Sequence, residues 1–193
     1  MLYSELVSLT EAVRGESLYH LTNKWWQISR DGHLKAQHLF PAEARVVAAG
    51  MGYTKHTEEF DDVVEKLNKG GYNFISMART LGTTFADEVR MDTKPEDIIV
   101  AFEFDKRKLK NRYKLVNVSY YGDREGTDEQ EERIVTKEEE FPLWDYVIGM
   151  HAYVEDDTDH TRRWLSWFED IARKNKVPGH VYRDWNRFRA ARP

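Results

Sequence analysis

Residues 127–135 read TDEQEERIV, with four carboxylates (Asp128, Glu129, Glu131, Glu132) crowded against the Ile134–Val135 pair that opens a strand-like run. Like charges this close repel, and a carboxylate carried beneath a sheet is costly unless it is paired or put to use. The stretch is therefore either a solvated acidic loop or the approach of a working carboxylate to a sheet. Side chains alternate along a strand, so Glu132 shares a face with Ile134, while Glu131 shares one with Arg133 and Val135.

The chain around it has 193 residues, a length that suits one domain with a proper core, taken as 1–193. Six Trp, ten Tyr and nine Phe predict an aromatic interior. The absence of cysteine excludes disulfides, thiol nucleophiles and thiolate metal sites. No apolar run approaches the ~18 residues of a membrane span. The opening stretch MLYSELVSLTEAVR reads as an amphipathic helix (1–16) with Leu2, Leu6, Leu9 and Val13 on one face. These features predict a soluble, cytoplasmic protein with no membrane partner.

Net charge is −5 but unevenly spread: from Arg162 onward nine Arg/Lys stand against three acids, which leaves the preceding part at −11. The 157–193 region is thus basic and also aromatic, and is predicted to be helical. Arg183, Arg187 and Arg189 among rings suit a nucleic-acid contact, whereas WLSWF at helical spacing suits a core with the arginines on its wet side.

Along the chain, SLYHL reads as a strand, Thr22 or Asn23 as the cap of a helix ending at Asp31–Gly32, and HLKA as a short strand. Residues 41–56 give no clear period. Thr57 caps a helix whose acids lie in its first turn and lysines in its last, as the macrodipole prefers, and Gly70–Gly71 ends it. Strands follow at 72–77, 97–105, 112–119, 132–136 and 146–154, with a turn or short helix at 80–90. A helix from Thr158 or Asp159 to about Lys176 is broken by Pro178–Gly179, with HVYR as a last strand and a short basic helix behind it. Strands collected in the middle and end predict an α+β fold.

Seven histidines are scattered without metal-ligand spacing, so no metal site is predicted, and neither a Gly-x-Ser-x-Gly elbow nor a GxxxxGK loop occurs. Three polar clusters at strand ends remain: Tyr19-His20-Leu21-Thr22, Phe74-Ile75-Ser76-Met77-Ala78-Arg79, and Glu129-Gln130-Glu131-Glu132-Arg133-Ile134.

In that order, with the "DGHL" turn after the first cluster and Pro142-Leu143-Trp144-Asp145-Tyr146-Val147-Ile148 after the third, the clusters resemble the ADP-ribosyltransferase fold. They are similar to those of DarT-like enzymes and related phage and toxin transferases that use NAD. The resemblance spans roughly Leu18 to Val154. It implies a split β-sheet core with flanking helices and a C-terminal helical extension, NAD as substrate, and transfer of ADP-ribose to a macromolecular acceptor, protein or nucleic acid. It also implies roles. His20, Leu21 and Thr22 would meet the nicotinamide side; Ser76 and Arg79 the ribose and diphosphate; Phe85 or Tyr72 would stack on the nicotinamide. Glu132, or else Glu131, would be the catalytic carboxylate, with Glu129 and Gln130 toward the acceptor. A carboxylate fits because loss of nicotinamide leaves positive charge on the sugar. If Ile134 faces the packed side near the cleft, Glu132 enters the site and Glu131 sits outside or assists. The chain departs from the family pattern at Leu21, where many relatives have Gly, and at Met77-Ala78, which leaves open whether it resembles the arginine-serine-glutamate or the histidine-tyrosine-glutamate branch. Two alternatives stand beside this: a nucleic-acid or partner-binding module on an inactive fold of the same kind, and an NAD-dependent enzyme that removes a phosphate from RNA.

Overall fold

The computed structural model describes residues 17–118 and 131–191. The expected N-terminal helix, and Glu129 and Gln130 of the acidic stretch, lie outside the described residues. In chain order the elements are β1 (Ser17–Thr22), α1 (Trp25–Asp31), β2 (His33–Lys35), β3 (Gln37–His38), α2 (Pro41–Gly50), α3 (Glu58–Lys69), β4 (Asn73–Ala78) and α4 (Thr84–Met91). There follow β5 (Ile99–Asp105), α5 (Lys106–Arg112), β6 (Lys114–Asn117), β7 (Glu131–Thr136), β8 (Glu140–Pro142), β9 (Val147–Tyr153), α6 (Asp159–Lys174), β10 (Gly179–Tyr182) and α7 (Trp185–Arg189).

This is a mixed α+β architecture around a mostly antiparallel sheet ordered β10-β9-β5-β1-β4-β7-β6, with β3 also on β4 and β2–β8 a separate ribbon. Only β10 runs parallel to its neighbour among the described strands. The 157–193 region is therefore not simply a helical extension: β10 extends the sheet, and Phe188 of α7 is fully buried against Tyr19, Leu21 and Leu81.

Local chemistry explains the element ends. Thr57 Oγ1 accepts the Phe60 N–H and Thr158 Oγ1 that of Thr161, each satisfying a donor the first helical turn leaves open. Gly32 ends α1 at φ 74°, where a side chain would be strained. Neither Thr22 nor Asn23 caps α1: Lys24 occupies the N-cap without a side-chain bond, and Thr22 Oγ1 instead accepts the Lys24 N–H at 2.9 Å. Two helices carry weak sequence signals. The α2 helix begins with Pro41 at its first turn, and α5 is capped by Asp105, which accepts from Arg107 N and Lys108 N.

The sheet is covered on both faces. On one, Leu18, Ile75, Met77, Phe102, Phe104 and Ile134 pack against Trp25 of α1, Leu109 of α5 and Phe168 of α6. On the other the cover is in two parts. Phe74, Val116 and Val135 lie under α2 and α3, whereas Tyr19, Leu21, Ile99 and Tyr153 lie under α4 and α7. Tyr19 and Ala78 are directly opposed across β1 and β4, which puts these two groups on the same face. Among the described residues no helix is long and apolar enough to cross a membrane.

A polar cluster is sealed into the second face. Glu103 is 6% exposed, its Oε1 accepting from Ser17 Oγ at 2.7 Å and its Oε2 lying 2.9 Å from His151 Nε2. Burial alone would raise the Glu103 carboxyl, but the bonds from His151 and Ser17 outweigh it and hold the group below the ordinary carboxylate range. Gly149 sits opposite Glu103, and a Cβ there would come within 2.8 Å of Glu103 Oε2, on a carboxylate held at one oxygen by Ser17 and at the other by His151. Gly149→Ala is therefore expected to destabilise the protein by about 1–3 kcal/mol through overpacking. Urea unfolding checks this, and an unchanged midpoint would contradict the contact.

Candidate functional site

β1 pairs with β5 over six residues and β4 with β7 over six, yet β1 and β4 meet at the single pair Tyr19–Ala78. The rungs that the register would form next, His20–Met77 and Leu21–Ser76, are missing. The His20 ring takes the Ser76 carbonyl instead, Nδ1 to O 3.2 Å. A cavity of about 310 Å³ opens at this gap, where the α2/α3 cover ends and the α4/α7 cover begins. Its walls come from Tyr19, His20 and Leu21 on β1, from Phe74 through Ala78 on β4, and from Lys35, Gln37 and Glu131. The turn 80–83 and Phe85 close the far side, with Phe85 49% exposed at the mouth.

A carbonyl can only accept, so Nδ1 of His20 carries the proton in this contact and Nε2 keeps its lone pair. Burial between the strands lowers the ring's proton affinity below the ordinary histidine range, and the bond to Ser76 opposes that shift only in part. His20 is therefore a neutral acceptor at pH 7.

The two glutamates at the start of β7 point to opposite faces and keep different company. Glu132, 4% exposed, accepts on Oε1 from Arg79 Nε at 2.7 Å and from Lys106 Nζ at 2.6 Å. Lys106 is buried, whereas Arg79 is one-third exposed. Glu131 accepts from Arg133 Nε at 3.0 Å, and Arg133 also donates to Glu43 while its guanidinium lies 4.6 Å above the Phe74 ring. Two cations thus surround Glu132, while two carboxylates share the one guanidinium at Glu131.

The structure divides the residues singled out in the sequence. His20, Leu21, Ser76, Phe85 and Glu131 line the cavity. Arg79 and Glu132 do not: they meet on the other face, with Met77, the cross-strand partner of Glu132, between them and the cavity. Glu131 is thus the carboxylate on the cavity wall, and Ser76 faces the cavity while Arg79, in the bend that follows β4, turns to Glu132. Thr22 stays outside, engaged with Lys24. Tyr72 packs with the α2/α3 group, 5.0 Å beneath the Lys137 ammonium, and is no candidate for stacking in the cavity.

Lys35 and Lys106 carry no motif and were not singled out; only the Asp105 cap and the alternation of HLKA hinted at their placement. Of the C-terminal arginines, Arg189 donates to the Gly82 carbonyl at 3.1 Å and pairs with Asp87 at 3.5 Å, and Arg183 lies 3.6 Å from Asp157. Arg187 is exposed. Among the described residues no group of three His, Asp or Glu side chains is placed to hold a metal.

No family model and no curated protein matches the chain. Among solved structures it is similar to Thermosipho africanus DarTG in complex with ADP-ribose, with a TM-score of 0.43 and 11% identity, covering 88% of this chain and 50% of that one. The chain spans about half the length of that protein.

Because the folded state resists protonating His20, its contribution to stability is complete above the ordinary value of 6.5 and is lost as pH falls from there through the lower folded-state value. The share due to Glu103 is lost only below the ordinary carboxylate value of 4.5, so of the two only the His20 share falls between 6.5 and 4.5. His20→Asn, which keeps a donor for Ser76, is expected to flatten the dependence of the urea midpoint on pH just below 6.5. Identical slopes in the two proteins would exclude the effect.

Proposed function

We propose that this protein is an NAD-dependent ADP-ribosyltransferase that works at the gap between β1 and β4 and transfers ADP-ribose to a macromolecular acceptor, protein or nucleic acid. One observation carries the proposal: Arg79 and Glu132, fifty-three residues apart in sequence, meet at 2.7 Å beside the missing rungs. That contact joins the second and third clusters, and His20 of the first stands in the gap itself. The family resemblance of the clusters supplies the substrate.

The chemistry follows from charge. In the reaction the bond from ribose C1 to the nicotinamide nitrogen breaks, the electron pair leaves with nicotinamide, and an acceptor nucleophile bonds to C1 as it loses its proton. Positive charge develops on the sugar, and a fixed carboxylate stabilises it more in the transition state than in the ground state. Glu132 suits this role because it is dry and held by two charge-assisted bonds. As it stands, its two cations leave the group positive by one charge, which repels a cationic sugar but attracts a dianionic diphosphate. Arg79, the exposed member, sits between the cavity residues Ala78 and Thr80. Its fork turns to the diphosphate, which leaves Glu132 and Lys106 as a neutral pair and gives the whole group, dianion included, one net negative charge, the sign the sugar needs. Glu131 stays in the Arg133–Glu43 network, while Nε2 of His20 accepts a hydrogen bond from the ligand.

Incubation with labelled NAD and cell lysate tests the activity, by asking whether label ends in protein, in nucleic acid or only in free ADP-ribose, and whether nicotinamide is released. Glu132→Gln is expected to lower nicotinamide release by about 10²–10³-fold, the effect of removing one preorganised group. That change also takes the counter-charge from buried Lys106, at roughly 3–5 kcal/mol when one partner of a buried pair is lost. Glu132→Gln combined with Lys106→Met is therefore expected to recover stability without recovering turnover. Nicotinamide release at the wild-type rate by a folded Glu132→Gln protein would refute the role of Glu132.

A further inference from the structure

We infer that the cavity on the Glu131 side of the sheet is a subsite for one nucleoside phosphate, with Lys35 as its anion anchor. The inference rests on the proposed use of a dinucleotide for its place in the reaction, but not for its chemistry. Volume limits the occupant first. At about 310 Å³ the cavity lies at the small end of ligand sites, room for one nucleoside with its phosphate and not for a whole dinucleotide.

Charge selects the class. Among the described residues lining the cavity Lys35 is the only cation, and the Glu131 carboxylate on the same wall is paired with Arg133. Arg79 and Lys106 are engaged with Glu132 across the sheet, and Arg133 with Glu131 and Glu43. Among the described residues Lys35 makes no ion pair, not even with its cross-strand neighbour Glu140. Lys35, at the end of β2, and Ser76 of β4 both line the cavity. An ammonium beside an exposed hydroxyl offers donors to a phosphate from two directions.

The rest of the wall suits the nucleoside. The Phe85 ring stands half exposed at the mouth, where a base can stack against it. Gln37 and Thr83 provide hydrogen-bonding groups for base or ribose. A nucleoside phosphate here is either one half of the dinucleotide, reaching through the gap, or a separate mononucleotide.

Calorimetric titration with AMP and with adenosine, on the wild type, Lys35→Gln and Lys35→Arg, tests the subsite. The wild type is expected to prefer AMP over adenosine, Lys35→Gln to lose about tenfold in AMP affinity with adenosine unaffected, and Lys35→Arg to retain most of it. Equal AMP affinity in wild type and Lys35→Gln, or no AMP binding by the wild type, overturns the assignment. Adding NAD identifies the source: competition with AMP marks half of the dinucleotide, and simultaneous binding marks a separate nucleotide, both through Lys35. Nicotinamide release is followed in parallel. Lys35-dependent AMP binding without release from NAD removes the transferase proposal alone, whereas release with no dependence of AMP binding on Lys35 removes the subsite alone.

Discussion

The site depends on a ladder that stops after one rung. A central sheet normally satisfies every backbone donor and acceptor between neighbouring strands, and an orphaned buried group costs about as much as a lost hydrogen bond. Here β1 and β4 can part because each is fully paired on its other side, β1 with β5 and β4 with β7. The Ser76 carbonyl that the parting exposes is taken by the His20 ring. The gap therefore costs little stability, and it brings side chains from both sheet faces to one opening. Were the rungs His20–Met77 and Leu21–Ser76 formed, the two covers of the second face would be separated only by a closed sheet, with no cavity between them.

On either side of β7 the same residue type is given opposite surroundings. Glu131 shares its guanidinium with Glu43, and Glu132 is shared by two cations. A buried carboxylate with two cations is weak evidence for stability, since desolvation of three charges offsets most of their attraction, and well-packed apolar residues often do as well. What the arrangement does provide is orientation: both bonds converge on Oε1, so the carboxylate is fixed along the sheet. The short α5 helix supplies this. Asp105 caps it immediately before Lys106, so the strand-to-helix turn that ends β5 also delivers the ammonium to Glu132.

Much of the fold was legible because its signals are local. Thr57 with three acids behind it, Gly32 after a helical run, and the apolar alternation of 97–105 each act within a few residues, and the structure has an element at each. The α2 and α5 helices were not legible. Alanines and valines in 41–50 give little amphipathic contrast, and KRKLKNR has one apolar residue, so burial of Ala44, Val47 and Leu109 is set by the sheet they pack on and not by their own pattern. The site was legible in its parts more than in its sides. Alternation alone separates Glu131 from Glu132, but which face holds a cavity depends on where two helical covers part. That is a contact between segments far apart in sequence. Lys35 belongs to the same class of unreadable facts, since its position follows from the pairing of β2 with β8.

The basic C-terminal segment shows why a charge count overstates a surface. Six positive charges in excess over 162–193 suggest a field able to hold nucleic acid. Yet Arg189 fastens the turn before α4 through the Gly82 carbonyl and Asp87, Trp185 donates to Asp87 at 2.8 Å, and Arg183 and Arg162 share Asp157. Acids from the preceding part of the chain thus neutralise part of the excess locally, and exposed pairs of this kind are screened further by salt. The aromatic half of the pattern is likewise internal, with Phe188 fully buried and the Arg90 guanidinium over the touching rings of Tyr153 and Trp185. Since Leu81 and Ala86 of the cavity wall pack on Phe188, α7 sets the position of that wall. The basic and aromatic residues of this segment act first on the shape of the cavity, and a polyanion binding there would have to draw Arg183 and Arg189 away from the contacts that maintain it.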